Sequence, residues 1–183
     1  MTREEAVKLV QERVKSKNLF KHMLATEAVM RRLAREWGED EERWGLAGLL
    51  HDIDYDETAD RPDRHSLEGA RILAELGLPE EVVYAVKVHN EYHGLPRVSR
   101  LDKALHAVDP LTGLIVAAAL IHPAKRLSAI DGEFVEKRFG ERSFARGANR
   151  EQIARCAELG LSLRRFIDLG LEAMQAIAGE LGL

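Results

Sequence analysis

Six residues of this 183-residue chain have side chains that hold metal ions, and they are spread along its first two thirds: His22, His51, Asp52, His65, His89 and Asp109. His51-Asp52 closes an apolar stretch and precedes the carboxylates Asp54, Asp56 and Glu57. Neighbouring residues on a helix point about 100° apart, so this pair cannot chelate an ion by itself. The other donors must come from other elements, and each such element offers one. Taken singly, every one of these residues has an ordinary reading, as a helix-terminal, turn or surface residue. Taken together they describe one centre. A mixture of imidazole and carboxylate suits a first-row divalent ion better than calcium, which prefers all-oxygen sites. The carboxylates favour octahedral Mn, Fe, Mg, Co or Ni over a closed zinc site. The one cysteine, Cys156, excludes a cysteine-cluster zinc site and an intrachain disulfide.

The elements that must position these donors read as helices throughout. Thr2-Arg3-Glu4-Glu5 matches a capping box, and Val7, Val10 and Val14 follow at helical spacing. Asn18 is the expected cap of a second helix, which carries His22 and ends at Gly38. Asp40 is the expected cap of a third, ending near His51-Asp52. A polar, acidic loop over Ile53–Arg64 leads to a fourth helix, which begins near His65 and stops at Gly77. Pro79 opens a fifth as its first helical residue, with His89 at its end. After a loop over Asn90–Val98, Ser99-Arg100-Leu101-Asp102 starts a sixth that runs to Ile121, where Pro110 should kink or break it. Shorter helices are expected at Asp131–Phe139, Arg150–Leu159 and Leu163–Ala178, the last two capped by Asn149 and Ser162. No stretch alternates at period two. The expected fold is all-α, with residues 1–124 forming a metal-binding helical domain and residues 125–183 a C-terminal helical extension packed on it.

Composition narrows the function classes. Hydrophobic residues make up 45% and charged residues 32%, which disfavours intrinsic disorder. The formal charge of -4 argues against a strongly cationic nucleic-acid protein, and no stable nucleic-acid complex is expected. The longest apolar run, Leu114–Ile121, is too short to span a bilayer, and the charged N-terminus lacks the apolar core of a signal peptide. A soluble cytoplasmic protein without membrane partners is the expectation, and a homo-oligomer is open. Arg126, Lys137, Arg138, Arg142, Arg146 and Arg150 give the C-terminal third a basic middle, which reads either as ordinary surface charge or as a phosphate-attracting rim.

The order of the donors carries a resemblance. His22, then His51-Asp52, then Asp109 within ALHAVDPLTGLI resembles the H…HD…D pattern of the HD-domain metal-dependent phosphohydrolase superfamily. HSLEGARIL, starting at His65, and AVKVHNEYHGLP, containing His89, resemble segments of its binuclear, HDIG-type branch. The resemblance covers about Phe20 to Leu120. It implies two divalent ions: one held by His22, His51, Asp52 and Asp109, the other bridged by Asp52 and held also by His65 and His89. Two departures stand out. Asn90 occupies the position where the branch usually has a second histidine, which weakens the second site. Ile53-Asp54 stands where many members have Ile-Gly-Lys, so a lysine that often helps with phosphate is absent.

The activity implied is hydrolysis of a phosphomonoester or phosphodiester of a nucleotide or small phosphorylated metabolite. A metal-acidified water would be the nucleophile, its pKa lowered toward roughly 7. The leaving group needs a proton or a positive neighbour, and Asp54, His93, Lys103 and Arg64 are the candidates. The competing reading is a non-catalytic module that keeps the metal for ligand sensing or protein contact.

Overall fold

A computed structural model describes all residues 1–183 and contains helices and turns with no strand. Eleven α-helices follow in order: α1 (Arg3–Arg13), α2 (Lys17–Trp37), α3 (Glu41–Leu50), α4 (Tyr55–Thr58), α5 (Leu67–Glu75), α6 (Glu80–His89), α7 (Arg100–Ile121), α8 (Gly132–Gly140), α9 (Arg150–Ala154), α10 (Leu163–Ala176) and α11 (Ala178–Leu181). Short side chains close most of the helix starts. Thr2 and Glu5 form a capping box on α1, and Ser99 and Asp102 form another on α7. Asp40, Asn149 and Ser162 cap α3, α9 and α10, so orphan N–H groups of the first turn find acceptors. Two expected starts move. Ser16, not Asn18, caps α2 through Leu19 N, and Pro79 is the cap of α6 rather than its first helical residue.

The largest difference from expectation is α7. It runs unbroken through Pro110. A proline inside a helix costs about 3 kcal/mol through a lost hydrogen bond and a ring clash. Here α7 is the central helix: α2, α3, α6, α8, α9 and α10 all pack on it, and Pro110 is buried among them. That burial outweighs the local penalty. By length and composition α7 could also cross a membrane, but most of its apolar window is buried inside the protein.

The tightest pairing is between α2 and α3, and its cause is Gly48. A Cβ there would lie 2.9 Å from the backbone of Glu27, so only glycine lets α3 approach α2 this closely. One continuous apolar core follows, from Ala6 and Val10 on α1 through Leu105, Leu111 and Ile115 on α7 to Phe166 and Met174 on α10. The C-terminal helices share that core. Two of the basic residues there are committed to structure. Arg138 pairs with Glu141, and the Arg150 guanidinium donates to the carbonyls of Ala145, Ala148 and Phe144.

Candidate metal centre

The helices bring all six donors together. His22 projects from α2, His51 stands at the end of α3 with Asp52 beside it, His65 precedes α5, His89 ends α6, and Asp109 lies midway along α7. His22 Nε2 lies 3.2 Å from His51 Nε2, 3.1 Å from Asp109 Oδ1 and 3.7 Å from Asp52 Oδ2. His51 Nε2 is 3.4 Å from the same Asp52 Oδ2. The other oxygen of Asp52 turns the opposite way. Its Oδ1 is 3.4 Å from His65 Nε2 and 3.5 Å from His89 Nε2. One carboxylate thus faces two histidine pairs that adjoin each other, since the His51 and His89 rings are 5.1 Å apart, as are those of His65 and His89.

Every histidine shows the centre the same nitrogen, because its other nitrogen is engaged behind it. His51 Nδ1–H donates to Gly48 O at 2.8 Å, and His89 Nδ1–H to Val86 O at 2.6 Å. His65 Nδ1 bonds Asp54 Oδ1 at 3.0 Å. For His22 the partner is Thr112: its hydroxyl donates to Asp109 O and so accepts from His22 Nδ1–H. These bonds fix the ring orientations and direct every Nε2 inward, the arrangement that metal-binding histidines adopt. His89 Nε2 makes the fit to a cation concrete. It is buried and has no hydrogen-bond partner. An unsatisfied buried nitrogen is costly unless something occupies its lone pair.

The electrostatics favour a cation as well. Burial works against a charged His51, yet the Asp52 and Asp109 carboxylates outweigh it and push the ring up to about 9. Burial would likewise raise Asp52 and Asp109, but the surrounding imidazoles hold both below the usual carboxylate range. The mouth of the centre is on the His22–Asp109 side. Those side chains are 23% and 32% exposed, whereas His51 is fully buried.

Other candidates take different places. Asp54 is buried, and both its oxygens are filled: Oδ2 accepts from Ser66 N and Gly69 N, each at 2.8 Å, and Oδ1 holds His65. It faces the back of a donor rather than the mouth. Ser66 sits in the left-handed region at φ 71° and is buried, a strained backbone directly beside His65. His93 Nε2–H donates to His65 O at 2.8 Å, and Asn90 donates to His65 O and Pro62 O. Both tie down the loop instead of adding a donor. Lys103 has no ion-pair or hydrogen-bond partner, but six residues from Asp109 place it about 240° around α7, off the donor face. Arg64 pairs with Glu68.

Three participants escape sequence reasoning. Thr112 orients His22 across 90 positions of chain. Gly48 supplies both the close approach of α3 and the carbonyl that holds His51. His106 is buried and donates from Nδ1 to His89 O at 2.9 Å. Its spacing to Asp109, one helical turn, was the available signal.

An all-α bundle that gathers four imidazoles and two carboxylates, one of which faces both histidine pairs, forms a candidate His-Asp metal centre. The HD domain family model matches residues 19–131, and the chain belongs to that family. Among curated proteins it is 31% identical over 120 residues to ribonuclease Y of Oleidesulfovibrio alaskensis, covering 64% of this chain and 23% of that one. It is 29% identical over 125 residues to ribonuclease Y of Lawsonia intracellularis, covering 65% and 24%. The chain thus spans about a quarter of the length of these relatives. No solved structure matches it significantly.

Proposed function

We propose that this protein is a metal-dependent phosphohydrolase, acting in the cytoplasm on a phosphoester of a nucleotide or small phosphorylated metabolite. One observation carries the reading: the two oxygens of Asp52 face the His22–His51 pair and the His65–His89 pair separately. That is a seat for two divalent ions, drawn from Mn, Fe, Mg, Co or Ni. His22, His51, Asp52 and Asp109 would hold one, and Asp52, His65 and His89 the other. Divalent ions bound there offset the charge of a phosphoester and acidify a water to near neutrality.

The chain's own contribution is position and charge. The Nδ1 bonds lock the histidines before any ligand arrives, so little reorganisation is needed on binding. Asp54, His93 and Asn90 act as positioning groups for the His65 loop. The exposed edge formed by His22 and Asp109 is where a phosphate would enter. The ribonuclease Y relatives add an RNA phosphodiester to the substrates worth testing.

The test is a metal-content measurement with anomalous scattering, followed by a panel under several metals. The panel holds p-nitrophenyl phosphate, bis-p-nitrophenyl phosphate, nucleotides and a short RNA. Turnover that disappears in Asp52→Ala supports the reading. A metal-loaded protein inert on every phosphoester overturns it and favours the non-catalytic metal module instead.

A further inference from the structure

We infer that His106 is a positioning residue for the metal centre: from α7 it holds the carbonyl of His89 and so fixes where the Nε2 of that ring meets Asp52 Oδ1. This role rests on the two-ion reading above and adds to it a residue outside the donor set.

The need for such a residue follows from the way α6 ends. A helix leaves its last four carbonyls without intrahelical donors. Backbone N–H groups commonly meet them where a glycine turns the chain back in the left-handed region. α6 has no such ending. Its last residue is the donor His89, and Asn90 leaves in an extended conformation at φ -76° and ψ 119°. No backbone N–H from beyond the helix reaches the last carbonyls. Four side chains do so instead. His89 Nδ1 donates to Val86 O at 2.6 Å, Ser66 Oγ to Lys87 O at 3.0 Å, Arg97 Nη1 to Val88 O at 3.2 Å and His106 Nδ1 to His89 O at 2.9 Å. Each orphan carbonyl is thus met, and each by a different residue.

The four caps are not equivalent. The one from His89 is internal to α6. It fixes the ring against its own helix, but it does not fix the end of that helix against the rest of the protein, and helix ends fray. Ser66 and Arg97 stand on the segments that lead into α5 and α7. Only His106 comes from inside a packed helix, and it is 1% exposed. Its bond also lands on the donor residue itself. Three residues along a helix turn through about 300°, so His106 and Asp109 lie about 60° apart on one face of α7. That face gives Asp109 to the first side of the centre and anchors the backbone of His89 for the second.

The experiment uses the full chain with His106→Leu, which keeps the apolar bulk and removes the donor, and His106→Asn, which keeps an N–H donor near the place of Nδ1. Asparagine is too short to meet Glu91, whose Oε1 lies 3.1 Å from His106 Nε2, so recovery in that variant isolates the bond to His89 O. Titration with Mn²⁺ followed by electron paramagnetic resonance reads the two ions, and a thermal melt reads the fold. The expected result is a second ion weakened about tenfold in His106→Leu, the low end of what outer partners of metal-binding histidines contribute. The first ion should keep its affinity, and His106→Asn should recover most of the loss. A lower Tm with both affinities unchanged would make His106 a helix cap only and overturn the assignment, as would equal weakening in the two variants. Should His106→Leu fail to fold, His106→Ala, which removes the donor without added bulk, is read in its place. If the wild-type protein takes up one ion or none, the two-ion reading fails, and ¹⁵N-histidine spectra of the metal-free protein decide the role of His106. His89 ring shifts that change in the leucine variant and return in the asparagine variant support it, and unchanged shifts overturn it.

Discussion

Around Asp52 Oδ2 the donors stand on or beside α2, α3 and α7, whereas around Asp52 Oδ1 they come from the strained turn before α5 and the last residue of α6. On the first side stand His22, His51, Asp52 and Asp109, and its helices are clamped by the Gly48 contact. On the second stand Asp52, His65 and His89, and Asn90, which stands beside His89, is spent on backbone carbonyls. In the proposed assignment the same carboxylate therefore serves two candidate seats of unlike rigidity. Donors on packed helices are held by the core, so their geometry is paid for by folding. Donors on a loop must be held by dedicated polar contacts, and here Asp54 holds the His65 ring while Asn90 and His93 hold its carbonyl. The second ion should accordingly bind more weakly and respond to Asp54.

Removing the shared element should have the largest effect. In Asp52→Asn the shape is kept but the bridging charge is gone, and an amide offers a poor second donor. Both sides should lose metal, and phosphoester hydrolysis should fall by about 10³-fold or more, several kcal/mol of lost charge stabilisation. Metal analysis beside steady-state rates checks this. Retention of two ions would break the bridging assignment and with it the comparison.

Next comes the clamp of the first side. Gly48→Ala places a methyl 2.9 Å from the Glu27 backbone, where nothing flexible can yield. Overpacking of this kind costs about 1–3 kcal/mol, and for a chain of this size each kcal/mol lowers Tm by about 2–4 °C. Because His22 and His51 ride on the two helices forced apart, the first ion should weaken along with the fold. A thermal melt paired with metal titration separates these effects. A protein that loses only the second ion would reverse the ranking of the two sides.

Asp54→Asn sharpens the same contrast from the other direction. The amide oxygen can still accept from Ser66 N and Gly69 N, but its nitrogen then faces His65 Nδ1 and cannot accept from it, so His65 loses its charged partner. Loss of a carboxylate behind a metal-binding histidine typically weakens the ion about 10–100-fold. The second ion should show that loss while the first keeps its affinity. Titration with Mn²⁺ followed by electron paramagnetic resonance reads the two sites separately. Equal weakening at both would mean that Asp54 supports the whole fold rather than one side.

How much of this was legible follows from the range of the interactions. Helix starts are written in a few consecutive residues, so Thr2, Asp40, Ser99, Asn149 and Ser162 could be read directly as caps. The shift from Asn18 to Ser16 shows the limit of that reading, since both types cap well two residues apart. Pro110 misled because its local penalty is visible in the sequence and the six helices packed on α7 are not. The donors were legible as types in order, and their common meeting point is the structure's contribution. Asp54 and His93 looked like proton donors because they sit near the donors in sequence. Their actual partners, Ser66 N, Gly69 N and His65 O, are set by the loop's path in space.

The smallest effect expected concerns the metal-free protein and distinguishes a proton from a metal ion at the first side. His51, with an ordinary value of 6.5, is pushed up to about 9 in the folded chain because Asp52 and Asp109 outweigh the cost of burying its charge. The folded state therefore holds a proton that the unfolded state releases above pH 6.5. That contribution to stability is complete below 6.5 and disappears as pH rises through about 9. Asp52 and Asp109 act in the opposite sense: held below the usual 3.8, they stabilise above it and lose that contribution as pH falls. Between pH 7 and 8 the His51 proton alone accounts for about 1 kcal/mol, or about 2–4 °C in Tm. A divalent ion displaces that proton, so loading at pH 7 should release protons into a weakly buffered solution, and the alkaline fall in Tm should vanish in the loaded protein. A metal-free Tm that stays flat from pH 6.5 to 9 would show that the first side is not charged as described. Any tighter binding at the first side would then rest on helix packing alone.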